Sequence, residues 1–162
     1  MPHNSEIVLV ILVAVAAFSD LRTRRIPNWL TVPGAALGIV LHVWSGGIWG
    51  GALSLAGAAL GLSIFIALYM LCGMGAGDVK LFGAVGAFTG PQSLIIVFVF
   101  TGLVGGVAAI ALAVSRGRLR ETLERTGSLM LGGRAAAGSD SLRLPYGAVI
   151  AAGTLLSLAA NR

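Results

Sequence analysis

Of the three aspartates in this 162-residue chain, Asp20, Asp78 and Asp140, the first two stand at the ends of long apolar runs. Ionisable groups in or beside a membrane span are costly to keep there, so they are functional candidates by default. Two carboxylates brought together in a poorly solvated site cannot both ionise easily and can share one proton. That pair can split a peptide bond. The ionised member draws a proton from the attacking water, while the protonated member hydrogen-bonds the carbonyl and later protonates the leaving amine. Taken singly, each aspartate has an ordinary explanation: Asp20 as an interfacial anchor paired with Arg24, and Asp78 as an N-cap. Taken together, on one membrane face, they favour the functional reading. A single cysteine, Cys72, and two histidines form no cluster at metal-ligand spacing, so neither a metal nor another cofactor is expected.

The elements that must bring these residues together are membrane helices. Apolar residues make up 57% of the chain, and mean hydropathy is +0.94. Between Ile26 and Ser115 only Asp78 and Lys80 carry charge, and a soluble core of that size would need a charged surface around it. A hydrocarbon core of about 30 Å takes about 20 apolar residues in a helix. On that measure six segments emerge: about Ile7 to Leu21, Trp29 to Trp44, Ile48 to Leu71, Asp78 to Phe88, Ser93 to Ser115 and Pro145 to Ala160. The fourth is short, and the turn signal TGPQ at residues 89–92 separates it from the fifth. The expected fold is therefore an all-α, polytopic bundle of about six transmembrane helices. It forms one domain over residues 1–162, with a polar loop at about 116–143. Gly34 and Gly38, and Gly57 and Gly61, have the small-xxx-small spacing of helix contacts in lipid.

The net charge of +5 has a topological reading rather than a nucleic-acid one. Arg22, Arg24 and Arg25 follow the first segment, which puts that loop in the cytoplasm and the N-terminus outside. Counting onward, the loop from Arg116 to Arg143 is again cytoplasmic, and it carries six Arg against three acids. Parity and charge agree if the fourth segment is a short true span. Asp20 and Asp78 then lie at the same depth, on the cytoplasmic face of the inner membrane. Arg116 to Arg125 reads as an amphipathic surface helix on anionic lipid. His42 falls at the opposite end of the second segment.

Gly73, Gly75 and Gly77 precede Asp78, offering an extended substrate a backbone with little side-chain bulk. A helix starting at Asp78 brings positive dipole to that carboxylate, and Lys80 is expected to act in the same direction. Gly75-Ala76-Gly77-Asp78, continued as Val79-Lys80-Leu81, resembles the GxGD signature of the type IV prepilin peptidases, which are integral membrane aspartic proteases. Asp20-Leu21-Arg22, continued through Arg25-Ile26-Pro27-Asn28, resembles the motif around their first catalytic aspartate. Leu144-Pro145-Tyr146-Gly147-Ala148 resembles their C-terminal Pro-aromatic-Gly element.

The resemblance implies that Asp20 and Asp78 form the catalytic dyad, with Gly75, Ala76 and Gly77 as the substrate-approach loop. Arg25, Pro27, Asn28, Lys80, Pro145, Tyr146 and Gly147 would support them. It also implies a prepilin or pseudopilin substrate, cut behind its short basic leader and just ahead of an apolar helix. The partners would then be the lipid bilayer and pilus or secretion assembly machinery. The family's bifunctional members add a cytoplasmic extension with paired cysteines and a methyltransferase activity. A chain that begins at its first span and holds one cysteine is expected to be a peptidase-only form, as in Flp (tight-adherence) pilus systems. The competing reading from the residues themselves is a small proton- or cation-coupled transporter component using the same two aspartates, although a transporter would place them nearer the midplane.

The topology is checked by labelling intact cells with a membrane-impermeant thiol reagent. In a Cys72→Ser background, single cysteines at Ala76 and Ser128 should stay unlabelled from outside. Strong labelling of either would overturn the six-span arrangement.

Overall fold

Without water to bond to, the backbone of an uncharged stretch must satisfy its N–H and C=O groups within the chain, and a helix does so locally. The structure, a computed structural model, describes residues 3–72, 74–115 and 146–161. Among these the architecture is all-helical: α1 is His3–Thr23, α2 is Asn28–Cys72, α3 is Ala76–Ser115 and α4 is Tyr146–Ala160. The expected polar loop at 116–143 and Pro145 lie outside the described residues, as does Gly73.

The six expected segments are thus carried by four helices, which corrects the count. The breaks expected between Trp44 and Ile48 and at residues 89–92 are bends within α2 and α3 rather than separate loops. Gly47 takes φ 60° and ψ −151°, and Gly90 takes φ 69° and ψ 172°. Only glycine enters that region without steric cost, so each helix turns at one residue and resumes. Pro91, directly after Gly90, begins the resumed limb, where a missing N–H costs little. The bend at Gly47 folds the chain back on itself. A Cβ on Gly50 would land on the His42 carbonyl, and one on Gly51 would lie 2.7 Å from Val43 Cγ2. In a straight helix, residues eight apart are separated by about 12 Å.

Two stretches, Asn28–Leu71 and Ala76–Leu112, are long and apolar enough to cross a membrane. Large apolar side chains cover the outside, with Trp44 90% and Ile48 91% exposed. Helices that are apolar all round suit hydrocarbon, not water.

The first limb of α3 is the centre of the molecule, and every residue from 81 to 90 is buried. Leu81, Phe82, Ala84, Val85 and Phe88 pack there with Leu9, Leu12 and Val13 of α1, Phe65 of α2 and Ile150 of α4. The second limb of α2 runs antiparallel to it. Ser54 Oγ donates to the Ala87 carbonyl at 2.6 Å, and Phe65 stacks on Phe82 with centroids 4.1 Å apart. Between these contacts the backbones nearly touch. A Cβ on Gly57 would collide with the Gly86 carbonyl, and one on Gly61 would lie 2.8 Å from that of Phe82. Gly38 faces the backbone of Ala87 and Phe88, and Gly34 faces Leu12. All four glycines of small-xxx-small spacing therefore sit at helix contacts. On the other side, Gly105 of α3 opposes Val149 of α4, and Gly153 opposes Thr101, so α4 is antiparallel to the second limb of α3.

Gly86→Ala should lower stability by about 1–3 kcal/mol, because the added methyl meets the Gly57 carbonyl and two backbones must part. Gly46→Ala, where a Cβ would meet nothing within 4 Å, should be nearly neutral. Thermal unfolding of both variants in detergent is the measurement, and equal midpoints would contradict this helix contact.

Candidate functional site

Asp20 lies in the last turn of α1. Its carbonyl accepts the Arg24 N–H at 2.8 Å, which ends the helix. Arg24 has φ 51° and is the one described residue other than glycine with positive φ. A left-handed residue commonly closes a helix, but glycine is the usual occupant, and a side chain there costs roughly 1–2 kcal/mol. The strained turn is held from behind: Ser19 Oγ and Thr23 Oγ1 both donate to the Arg25 carbonyl, at 2.9 and 3.2 Å. The chain then drops Ile26 inward, 8% exposed, and restarts as α2, with the Pro27 carbonyl accepting Leu30 N–H at 3.1 Å.

Asp78 lies in the first turn of α3, which begins at Ala76, two residues earlier than expected. Its N–H donates to the Gly75 carbonyl at 3.1 Å. Gly77 is therefore helical, and its bareness serves packing: a Cβ there would lie 3.1 Å from Ile26 Cβ. Gly75 is exposed, and a Cβ on it would lie 2.9 Å from Asp78 Oδ2. Of the two glycines, Gly75 leaves space beside the carboxylate and Gly77 lets α3 sit down on Ile26.

The third wall is α4. Gly147 N–H donates to Asp20 Oδ2 at 2.8 Å, across 127 positions of sequence. A Cβ on Gly147 would lie 2.9 Å from Asp20 Cβ and 3.0 Å from Ile26 Cδ1. Ile26 thus lies against both Gly77 and Gly147. Asp20 and Asp78 are 7% and 8% exposed, and they are close enough for their charges to act on each other. Two nearly buried carboxylates under mutual repulsion can hold one proton between them and act as acid and base together.

Lys80 departs from expectation. Residues two apart on a helix do not face each other, and the Lys80 ammonium turns away from Asp78 to donate to Asn28 Oδ1 at 2.9 Å. That bond ties the start of α2 to α3. The Arg25 side chain is exposed, and its contribution comes through its carbonyl. Tyr146 is half-buried at the head of α4, and Ala76 is exposed beside Gly75. His42 lies remote from the aspartates, its Nδ1 3.1 Å from the Gly38 carbonyl. Ile26, Ser19 and Thr23 were missed from sequence, although Ser and Thr four apart at the end of an apolar run are a usable signal of a capped turn.

The model of the type IV leader peptidase family matches residues 7–110. The chain is similar to a prepilin leader peptidase/N-methyltransferase of Neisseria gonorrhoeae, 34% identical over 112 residues. That match covers 62% of this chain and 37% of the relative, so the chain spans little more than a third of that protein's length. No solved structure matches the chain significantly.

Gly147→Ala should cost about 1–3 kcal/mol by overpacking, and less in an Asp20→Gly background, where both the Cβ and the carboxylate that meet the new methyl are gone. A double-mutant cycle on unfolding in detergent reads that coupling. The same cost in both backgrounds would contradict the packing of Gly147 on Asp20.

Proposed function

Since the chain belongs to the type IV leader peptidase family, we propose that it is a membrane aspartic endopeptidase in which Asp20 and Asp78 together cleave the leader from a prepilin or pseudopilin. The observation that carries this is the burial of both carboxylates at one junction, where Ile26 packs on Gly147 beside Asp20 and on Gly77 beside Asp78. They stand on the two residues that the sequence motifs singled out.

The substrate strand approaches past Gly75, the exposed bare position beside Asp78. One ionised carboxylate takes a proton from a water molecule as the water oxygen bonds to the scissile carbonyl carbon. The other, protonated, donates a hydrogen bond to the carbonyl oxygen as negative charge builds there. Collapse of the tetrahedral intermediate breaks the C–N bond, and the amine nitrogen leaves with a proton from the dyad. Gly147 N–H keeps Asp20 oriented by holding its Oδ2. Ile26 beneath both helix ends keeps the site poorly solvated, which strengthens the hydrogen bonds to developing charge.

The same reading takes the two bent helices as four spans and α1 and α4 as two more. The bends at Gly47 and Gly90 support it, and so does the side-by-side arrangement of the Asp20 and Asp78 helix ends. Arg22, Arg24 and Arg25 beside that end support a cytoplasmic location in a multi-pass inner-membrane protein. On the sequence resemblance alone, Flp-type prepilins belong among the proposed substrates. N-methylation is no part of the proposal, and the family match lends the transporter reading no support.

Asp20→Asn and Asp78→Asn should each slow prepilin processing by about 100- to 10,000-fold, because Asn keeps the shape but exchanges no proton. The double mutant should be little slower than either, since groups acting as a unit are not additive. Asp140→Asn should be close to wild type. Leader removal is read by gel shift in cells co-expressing a prepilin, alongside folded yield. A folded single mutant of Asp20 or Asp78 that processes at the wild-type rate would remove that residue from the mechanism.

A further inference from the structure

The two buried carboxylates are held differently. Gly147 N–H donates to Asp20 Oδ2 at 2.8 Å, inside the protein. Because α4 begins at Tyr146, this N–H is one of the first-turn donors that a helix cannot pair within itself. Asp20 therefore caps α4 from the end of α1, with a backbone donor and the positive end of the α4 dipole at one of its oxygens. A bond of this kind favours the charged form of a carboxylate. The backbone that acts on the Asp78 carboxylate is that of Gly75, which is exposed, so water competes for it.

The other influences do not reverse this order. Asp78 gains from the dipole of α3, and Asp20 faces the unfavourable end of α1, but a direct bond to a charge outweighs a dipole felt along a helix turn. Arg22, Arg24 and Arg25 are exposed on the side of Asp20, Lys80 is bonded to Asn28, and Tyr146 is half-buried at the head of α4.

The open side of the site points the same way. A Cβ on Gly75 would lie 2.9 Å from Asp78 Oδ2, so that oxygen faces the bare, exposed position past which the substrate strand approaches. The corresponding oxygen of Asp20 is taken by α4. Asp78 is thus the carboxyl that can bring a proton to a substrate carbonyl, and Asp20 keeps Oδ1 to take one from water.

We propose that the Gly147 N–H assigns the roles within the dyad, with Asp20 the general base and Asp78 the general acid. This rests on the reading of the chain as a prepilin peptidase. Water gives a proton to Asp20 Oδ1 as its oxygen bonds to the scissile carbonyl carbon, and Asp78 passes its proton to the carbonyl oxygen. The resulting gem-diol returns one hydroxyl proton to Asp78 as the C=O bond re-forms and the C–N bond breaks, while Asp20 gives its proton to the amine nitrogen. The dyad ends as it began, with Asp20 ionised and Asp78 protonated.

The test uses full-length protein in detergent and two reagents of opposite preference. An aryl glycidyl ether esterifies an ionised carboxylate, which opens the epoxide as a nucleophile. A diazoacetyl amino-acid ester with copper(II) esterifies a protonated carboxyl, with loss of dinitrogen. Peptide mapping by mass spectrometry should find the first ester on Asp20 and the second on Asp78. The reverse pattern, or either reagent divided equally between the two, would overturn the assignment. The second measurement is the pH dependence of prepilin cleavage. Gly147→Ala, checked for folding by its unfolding midpoint, crowds the Asp20 carboxylate off the N–H. The low-pH limb of kcat/KM, where the base takes up its proton, should then move to higher pH. A low-pH limb that stays in place would overturn the assignment. The reagents decide if the variant does not fold, and the pH profile decides if neither reagent reacts. Wild-type cleavage of a prepilin would leave the peptidase reading standing through any of these results. Failure of the wild type to cleave any prepilin would overturn both.

Discussion

Everything in this protein depends on burying one helical limb completely while a carboxylate stands at its head. From residue 81 to residue 90 the first limb of α3 exposes no side chain. Among apolar surroundings the hydrophobic effect gives little reason for helices to associate, so close contact must come from shape. Gly57 against Gly86, Gly61 against Phe82, and Gly38 against Ala87 and Phe88 provide it. The Phe65–Phe82 stack and the Ser54 bond to the Ala87 carbonyl fix the limb along its axis. A limb that can neither slide nor rotate holds Asp78 at one height, and Asp20 has to be brought to it.

What brings Asp20 there is a turn under strain. Arg24 occupies a conformation better suited to glycine, and the hydroxyls of Ser19 and Thr23 offset its cost by bonding the next carbonyl. The result is that Ile26 points inward, between α3 and α4, where Gly77 and Gly147 leave room for it. Lys80 and Asn28 close the outside of the same junction. The arginine at position 24 is thus exposed and tolerated by the turn.

Much of this was legible in advance for a physical reason: the membrane makes charge rare, so each exception is informative. Asp20 and Asp78 stand out for that reason, and the glycine pairs stand out because lipid-facing helices have few other ways to associate. The bends at Gly47 and Gly90 were legible as breaks but not as single-residue turns, since composition marks where helicity falters without giving φ. Asp78 was placed at a helix start correctly to within two residues. The role of Lys80 was misjudged because closeness in sequence is not closeness on a helix. Gly147 stood among the supporting residues that the resemblance implied, but how Ile26 and the Gly147 N–H serve the site could not be read. One is an ordinary apolar residue, the other a backbone group, and only packing gives either a role.

The bond from Gly147 to Asp20 joins residues 127 positions apart, and it has a consequence for how the protein is made. A ribosome delivers Asp20 early, Asp78 midway and the α4 donor late. Until α4 enters beside α1, the first aspartate has no partner for its Oδ2 and the site lacks one wall. Closing of the junction around Asp20 is therefore a late event of biogenesis, since α4 follows the other three described helices along the chain.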